Sequence, residues 1–339
     1  MSEPTTAVLA YRLGAVAVTS DVPLAGFEHC LHQPGGHAFE LHLRRAGAAP
    51  AGGRQVLRFA RGRGLEVRRQ PGGAFVVRAG GVAACTVEPD GRTVHWHLEG
   101  REPEVDETDF VAAAVLPRAL TRQGGYVLHA ATILGPGGAM LLCGGSRAGK
   151  STTTTALHRA TGWPLLGDDL AVIGLEGGRP VVRSCSSDVR LWDDATELLG
   201  LGPGTRLPRH RTKARHPVAN PSAGAVPVAR MVQLVGGRAP ALAVPAPVQR
   251  VDLVRRQLLR IDRTDLDAQT SEFDFLVAWA PAVPVVELHH ARDGRRESLD
   301  DTVRRLIALA EGHPEAAARA QSARPPDHGS ATIPPIRGV

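Results

Sequence analysis

The segment Gly144-Gly145-Ser146-Arg147-Ala148-Gly149-Lys150-Ser151 fills every fixed position of the pattern G-x-x-x-x-G-K-[ST]. Together those residue types do one kind of chemistry. Glycines let successive backbone N–H groups curl around phosphate oxygens, and the start of a helix adds its positive dipole end. Lys150 then reaches the β- and γ-phosphates, and the Ser151 hydroxyl binds Mg²⁺. Such a loop must follow a strand and open a helix. The apolar run Ala139 to Cys143 and the segment Ser151 to Ala160 meet that need, with Thr152 in the first turn. Residues 144–152 are therefore expected to bind ATP with Mg²⁺.

Leu165-Leu166-Gly167-Asp168-Asp169 supplies acids. Asp168 lies 18 residues beyond Lys150, which leaves room for one helix and a return strand. Its carboxylate should then emerge beside the loop, where phosphoryl transfer needs an acid to hold Mg²⁺ or to take a proton from a hydroxyl. Adjacent residues on a strand face opposite ways, so Asp169 is free for another role. His129 lies 21 residues before Lys150, on an expected strand Tyr126 to Leu134 adjacent and parallel to the one entering the loop. Alone it reads as a core residue. Beside a carboxylate, an imidazole can tune a pKa or relay a proton.

Of 40 Lys plus Arg, only Lys150 and Lys213 are lysine. An ammonium on a flexible stem is not interchangeable with a planar guanidinium, so each lysine stands out. Lys213 sits in the run Arg206, Arg209, His210, Arg211, Lys213, Arg215, His216, which reads as a basic loop. Clustered cations repel, and folding alone gives little reason to gather them. The run is either a solvated surface or a phosphate clamp. In the clamp, Lys213 would act on the moving phosphoryl group, with Arg211 and Arg215 on an acidic acceptor.

A Leu-His-Ala strand, then this loop, then the Asp-Asp pair resembles the HPr kinase/phosphorylase family, which phosphorylates a serine of the phosphocarrier protein HPr. Leu165 to Asp169 also looks like the kinase-2 region of ATP-dependent phosphoenolpyruvate carboxykinase, which shares that nucleotide-binding fold. The resemblance covers residues 125–175. It continues more loosely through Arg190-Leu191-Trp192, as in HPr-kinase-like proteins found beside peptide-modification genes. It implies a P-loop kinase core of that type, α/β (α+β), preceded by a small β-rich domain. Lys150 and the loop amides would bind phosphates, and Ser151 and Asp168 would share the magnesium. Asp168 would also act as base with His129 close by, while Asp169 and Arg190 would contact the acceptor, a phosphate or local structure. The glycine-rich region through which HPr kinases bind their target and form hexamers is not found. A serine on another carrier protein or a precursor peptide is the better acceptor, with homo-oligomers left open. A small-molecule kinase and a non-catalytic ATP-binding regulator remain as alternatives. A GTPase is disfavoured, because Thr212-Lys213-Ala214-Arg215 has arginine where base recognition needs aspartate.

The elements that must position these residues fit 339 residues and 43% apolar content. A net charge of +6 favours anionic ligands, but 4% aromatic content leaves no stacking platform for nucleic acid. Cys30, Cys85, Cys143 and Cys185 are scattered, against zinc or a disulfide framework. Without an apolar run near 18 residues, a soluble cytoplasmic protein without membrane contact is expected. Residues 1–104 read as a β-rich domain, a meander of runs such as Phe39 to Leu43, Gln55 to Phe59, Leu65 to Arg68, Ala74 to Val77 and Thr93 to His97. Residues 105–312 read as the kinase-like domain, and 313–339 as a disordered tail rich in Ala, Pro, Arg and Ser. Within the second unit, Asp106 to Arg122 predicts a helix broken at Pro117. Leu165 to Ile173, Pro180 to Arg183, Arg230 to Val235 and Pro284 to His289 predict strands. Asp193 to Leu199, 247–260 and 265–279 predict helices, and a last helix should start at Ser298, with Leu299, Val303, Leu306 and Ala310 on one face.

Overall fold

The computed structural model describes residues 8–313 except 33–37, 60–63, 81–82, 186–187, 208–209, 219–223, 238–239 and 292. The expected tail lies outside the described residues, apart from His313. The described residues are mixed α/β and form three sheets.

The first sheet has eight strands: β1 (Leu9–Leu13), β2 (Val16–Ser20), β3 (Phe39–Ala46), β4 (Arg54–Arg58), β5 (Glu66–Arg69), β6 (Phe75–Ala79), β7 (Ala83–Val87) and β8 (Thr93–His97). Their order is β1-β2-β3-β8-β7-β6-β5-β4. The expected meander holds only for β4 to β8. Strand β3 runs parallel to both β2 and β8 and is inserted between them. Alternation of apolar residues fixes which face a strand buries, not its neighbour, so this insertion is invisible in the pattern.

The core of this sheet is shared with the helical stretch α1 (Val105–Phe110) and α2 (Leu116–Arg122), whose Phe110, Val111, Val115, Leu116 and Leu120 pack into it. Between them, Val111–Val115 forms a π turn, and the Leu116 N–H reaches back to the Val111 carbonyl. Pro117 lacks the N–H that would continue a regular ladder. The expected break is thus a π turn within one continuous helix.

The second sheet contains β9 (Tyr126–Leu128), β10 (Ala130–Gly135), β11 (Gly138–Cys143), β12 (Leu165–Gly167), β13 (Ala171–Glu176) and β14 (Arg179–Ser184), with α3 (Lys150–Thr161) between β11 and β12. After it come β15 (Asp188–Trp192), α4 (Asp193–Leu199), β16 (Thr205–Leu207) and β17 (His210–Pro217). The chain then returns to the second sheet with β18 (Val226–Gly236), β19 (Ala241–Ala243), α5 (Pro247–Gln257), β20 (Leu258–Leu259), α6 (Leu266–Trp279), β21 (Val285–His290) and α7 (Arg296–Ala310). At its centre β11, β18 and β21 are parallel, and both faces are covered. Met140 and Leu142 of β11 pack with Leu157 of α3 and Leu306 of α7; Ala139, Leu141 and Cys143 pack with Val254, Leu276 and Trp279 on the other face. A doubly covered parallel strand reads as a continuous apolar run for this reason.

Several expected elements differ. Tyr126 to Leu134 is two strands broken at His129, and Leu165 to Ile173 is two strands broken at Asp168–Leu170. The basic loop 206–217 is strand β16 and strand β17, which form a third sheet in the order β15-β17-β16. The last helix begins two residues before Ser298; the Ser298 hydroxyl donates to Asp293 at 2.9 Å, and Asp301 pairs with Arg305 at 2.7 Å. Among the described residues, no helix is long and apolar enough to cross a membrane.

Candidate functional site

Three strands bring the chemistry to one end of the second sheet. Strand β10 lies between β11 and β12 and is antiparallel to both, with Ala130 opposite Cys143 and Thr132 opposite Gly167. The start of β10 therefore meets the ends of its two neighbours. His129 stands one residue before the first pair, Gly144 one residue after Cys143, and Asp168 one residue after Gly167. The expected parallel neighbour for His129 is corrected by this register: an antiparallel hairpin carries it to the same end.

The loop itself turns at Gly144, Arg147 and Gly149, with φ of 153°, 62° and 87°. A Cβ at Gly144 would lie 2.7 Å from the Ala148 Cβ and 3.0 Å from the Leu234 carbonyl oxygen, so both the backbone angle and the space exclude a side chain. Gly149 caps α3, whose first turn carries no acidic residue and directs its N–H groups into the loop. Gly145, Ser146 and Arg147 are exposed, whereas Gly144, Ala148 and Lys150 are buried. The Lys150 ammonium donates to the Gly144 carbonyl at 3.1 Å and the Gly145 carbonyl at 3.4 Å, spanning the concavity. Ser151 and Thr152 are half-buried in the first turn. Beneath, the His290 Nε2–H donates to the Ala148 carbonyl at 3.1 Å. Sequence reasoning missed His290, since one histidine at a strand end carries no signal.

Asp168 is 3% exposed. One carboxylate oxygen accepts from the Ser151 hydroxyl at 2.8 Å and the other from the Arg190 backbone N–H at 2.9 Å. Burial, then the charge of Asp169, pushes its carboxyl up to about 7, against those hydrogen bonds and Lys213. Asp169 adopts a left-handed backbone, φ 64°, which turns the chain out of β12. The two acids therefore diverge through a turn, not through strand alternation. Burial works to raise the Asp169 carboxyl, but His129, Lys213, Arg190 and Lys150 outweigh it and hold it at about 2. The Arg190 guanidinium lies 3.6 Å from Asp169 and 2.9 Å from Asp109 on α1. Two adjacent carboxyls with pKa values driven apart can divide the roles of proton acceptor and fixed anion.

His129 Nδ1 is 3.2 Å from the Asp169 backbone carbonyl and 4.0 Å from its carboxylate. Burial, with Lys150 and Lys213, overcomes Asp169 and lowers its pKa, so the ring is neutral near pH 7. Both lysines of the chain thus act on this one cluster. Lys213 is directly opposite Trp192 in the β15–β17 pair, and its ammonium lies 5.7 Å from the ring centroid. The Arg147 guanidinium of the loop lies 5.2 Å from the same ring.

Not every expected residue joins them. Arg215 is 2% exposed and lies over Phe27 at 4.2 Å, donates to the Gly26 carbonyl at 3.0 Å, and is 3.6 Å from Asp188. The acceptor contact expected of it is corrected, because a side chain enclosed by the N-terminal segment and β15 does not face solvent. The Arg211 side chain lies outside the described residues. Arg190 pairs with carboxylates, and Asp109 is a second residue that sequence reasoning missed.

The Ser151 and Asp168 oxygens suit a hard divalent cation, which takes few protein ligands when phosphates and water complete its shell. Among the described residues, no cluster of three or more His, Cys, Asp or Glu could hold a metal alone. All four cysteines are buried, and burial lifts Cys143 and Cys185 to about 12, which removes thiolate chemistry from this region.

No family model matches the chain, and no curated protein does. Among solved structures, the HPr(Ser) kinase/phosphatase of Coxiella burnetii matches with a TM-score of 0.27 and 13% identity, covering 56% of this chain and 93% of that chain. At that score the likeness is too slight to fix residue roles or activity.

Proposed function

We propose that the chain is an ATP-dependent phosphotransferase that moves the γ-phosphoryl group to a hydroxyl, with a serine of a peptide or carrier protein as acceptor. The observation that carries this reading is the 2.8 Å contact between Ser151, at the first turn of the loop helix, and Asp168, a carboxyl lifted to about 7. The loop amides and Lys150 bind and orient the phosphates. When bound, Mg²⁺ would be held by Ser151 and Asp168 and would offset charge on the phosphate oxygens. Asp168, poised near neutrality, takes the proton of the attacking hydroxyl, a role most efficient when the base has a pKa near the working pH. Asp169, held as an anion by Lys213, Arg190 and Lys150, leaves the proton on Asp168. Phosphoryl transfer rests mainly on positioning and charge neutralisation, which is what these residues supply.

The test is transfer of label from γ-labelled ATP to serine-containing peptides and carrier proteins. The wild type should label an acceptor, and Asp168→Asn should lower the rate by about 10²–10⁴-fold, the usual contribution of a placed base. Near-normal labelling by Asp168→Asn, with activity lost in Asp169→Asn, would reverse the two roles. Indifference to both substitutions would remove the kinase reading.

A further inference from the structure

Trp192 has no part in the proposed reaction, yet its ring contacts two cations beside the site, Arg147 and Lys213. It is half-buried at the end of β15, with Lys213 opposite on β17 and Arg147 reaching it from the glycine-rich loop. Like charges at one ring repel each other, and attraction to the aromatic face offsets that repulsion. Asp168 and Asp169 both feel the charge of Lys213, which places this cation beside the acidic pair. Arg147 holds an exposed position with a left-handed backbone, φ 62°, which a non-glycine residue adopts at a cost. Its guanidinium thereby turns toward the third sheet. The ring links two parts of the fold: a loop that ends a strand of the second sheet, and the paired strands β15 and β17 of the third.

We propose that Trp192 is a positioning residue that holds Arg147 and Lys213 together as a cation pair for the terminal phosphate of a nucleoside triphosphate. This rests on the phosphotransferase reading and deepens it, since it says which phosphate the pair selects. The loop amides serve the phosphates shared by ATP and ADP, and Lys150 bridges the β- and γ-phosphates. The Trp192 pair serves the one that only ATP carries. The geometry also explains why the only lysine outside the loop lies in a strand opposite a tryptophan, where its stem and ring are held in register.

The experiment is titration calorimetry of the whole chain with Mg²⁺·ATP and with Mg²⁺·ADP. The wild type should prefer ATP. Trp192→Leu should reduce the ATP-to-ADP affinity ratio at least fivefold with little change for ADP, and Trp192→Phe, which keeps a ring, should restore part of it. Lys213→Gln should lower the same ratio in the wild type and have little further effect beside Trp192→Leu, because the ring acts through the lysine. An unchanged ratio in Trp192→Leu, or effects of Lys213→Gln and Trp192→Leu that simply add, would overturn the proposal while leaving nucleotide binding intact. A wild type that binds neither nucleotide would overturn the phosphotransferase reading itself, and this proposal with it. Tryptophan emission gives a second readout: ATP should alter it in the wild type, and Trp192→Phe should lose that change. Retention of the whole change in Trp192→Phe would count against the assignment.

Discussion

Replacing Asp168 with asparagine should stabilise the folded protein at pH 8 and give no such gain at pH 4. In the folded chain its carboxyl is raised to about 7, whereas its ordinary value is 3.8. Between those values the folded state keeps a proton that the unfolded state has released, so stability falls as pH rises through that window. The interval is roughly 3 pH units, and at about 1.36 kcal/mol each it amounts to about 4 kcal/mol of cost when Asp168 is ionised above pH 7. Asparagine removes that cost. It can also keep both hydrogen bonds, its carbonyl accepting from the Arg190 N–H and its amide donating to the Ser151 oxygen. About 4 kcal/mol is an upper limit, because the ionised acid can draw in water. The assay is urea unfolding of both proteins without divalent cations at pH 4.5, 6 and 8. The gap in midpoint should widen with pH. A gap that stays constant, or a variant less stable than wild type at pH 8, would mean that Asp168 is not held near neutrality by burial. The expected outcome, a site residue that activity requires and stability disfavours, is the usual trade at a strained functional centre.

Further outcomes follow from the same contacts. Lys150→Ala should weaken ATP binding strongly in calorimetry, and an unaltered affinity would remove the phosphate role of the loop. Asp109→Asn leaves Arg190 buried with Asp169 as its remaining partner; it should cost toward the low end of about 3–5 kcal/mol in thermal or urea unfolding and move the pH–rate profile, whereas a neutral result would make the pair incidental. His129→Ala should lower turnover and shift the pH profile while leaving ATP affinity nearly intact; a superimposable profile would return the residue to packing. Arg215→Ala should destabilise the fold with little dependence on salt, since its partners are buried; a salt-dependent loss of acceptor binding with normal stability would restore its surface role.

What the sequence determined is local. The glycines at 144 and 149, the lysine and the serine encode a backbone path within eight consecutive residues, and the structure turns at those glycines. The distance from Lys150 to Asp168 allows one helix and one short strand, and little freedom remains after both are placed. Apolar alternation also marked strands such as β3, β6 and β8 and the buried face of α7, where Leu299, Val303 and Leu306 pack as expected. Tertiary structure decided what lies far apart in the chain. The breaks at His129 and at Asp168–Leu170 arise because flanking strands pair with different partners, which no periodicity records. Residues 206–217 carry too many charges for a strand pattern, yet β17 within them pairs with β15, whose other side chains supply the apolar contacts. That pairing alone sends Lys213 to Trp192 and the site, and Arg215 inward to Phe27. Two cations, two residues apart on one strand, therefore serve a candidate active site in one case and packing in the other. A strand turns alternate residues to one face, but only the neighbouring elements decide what that face meets.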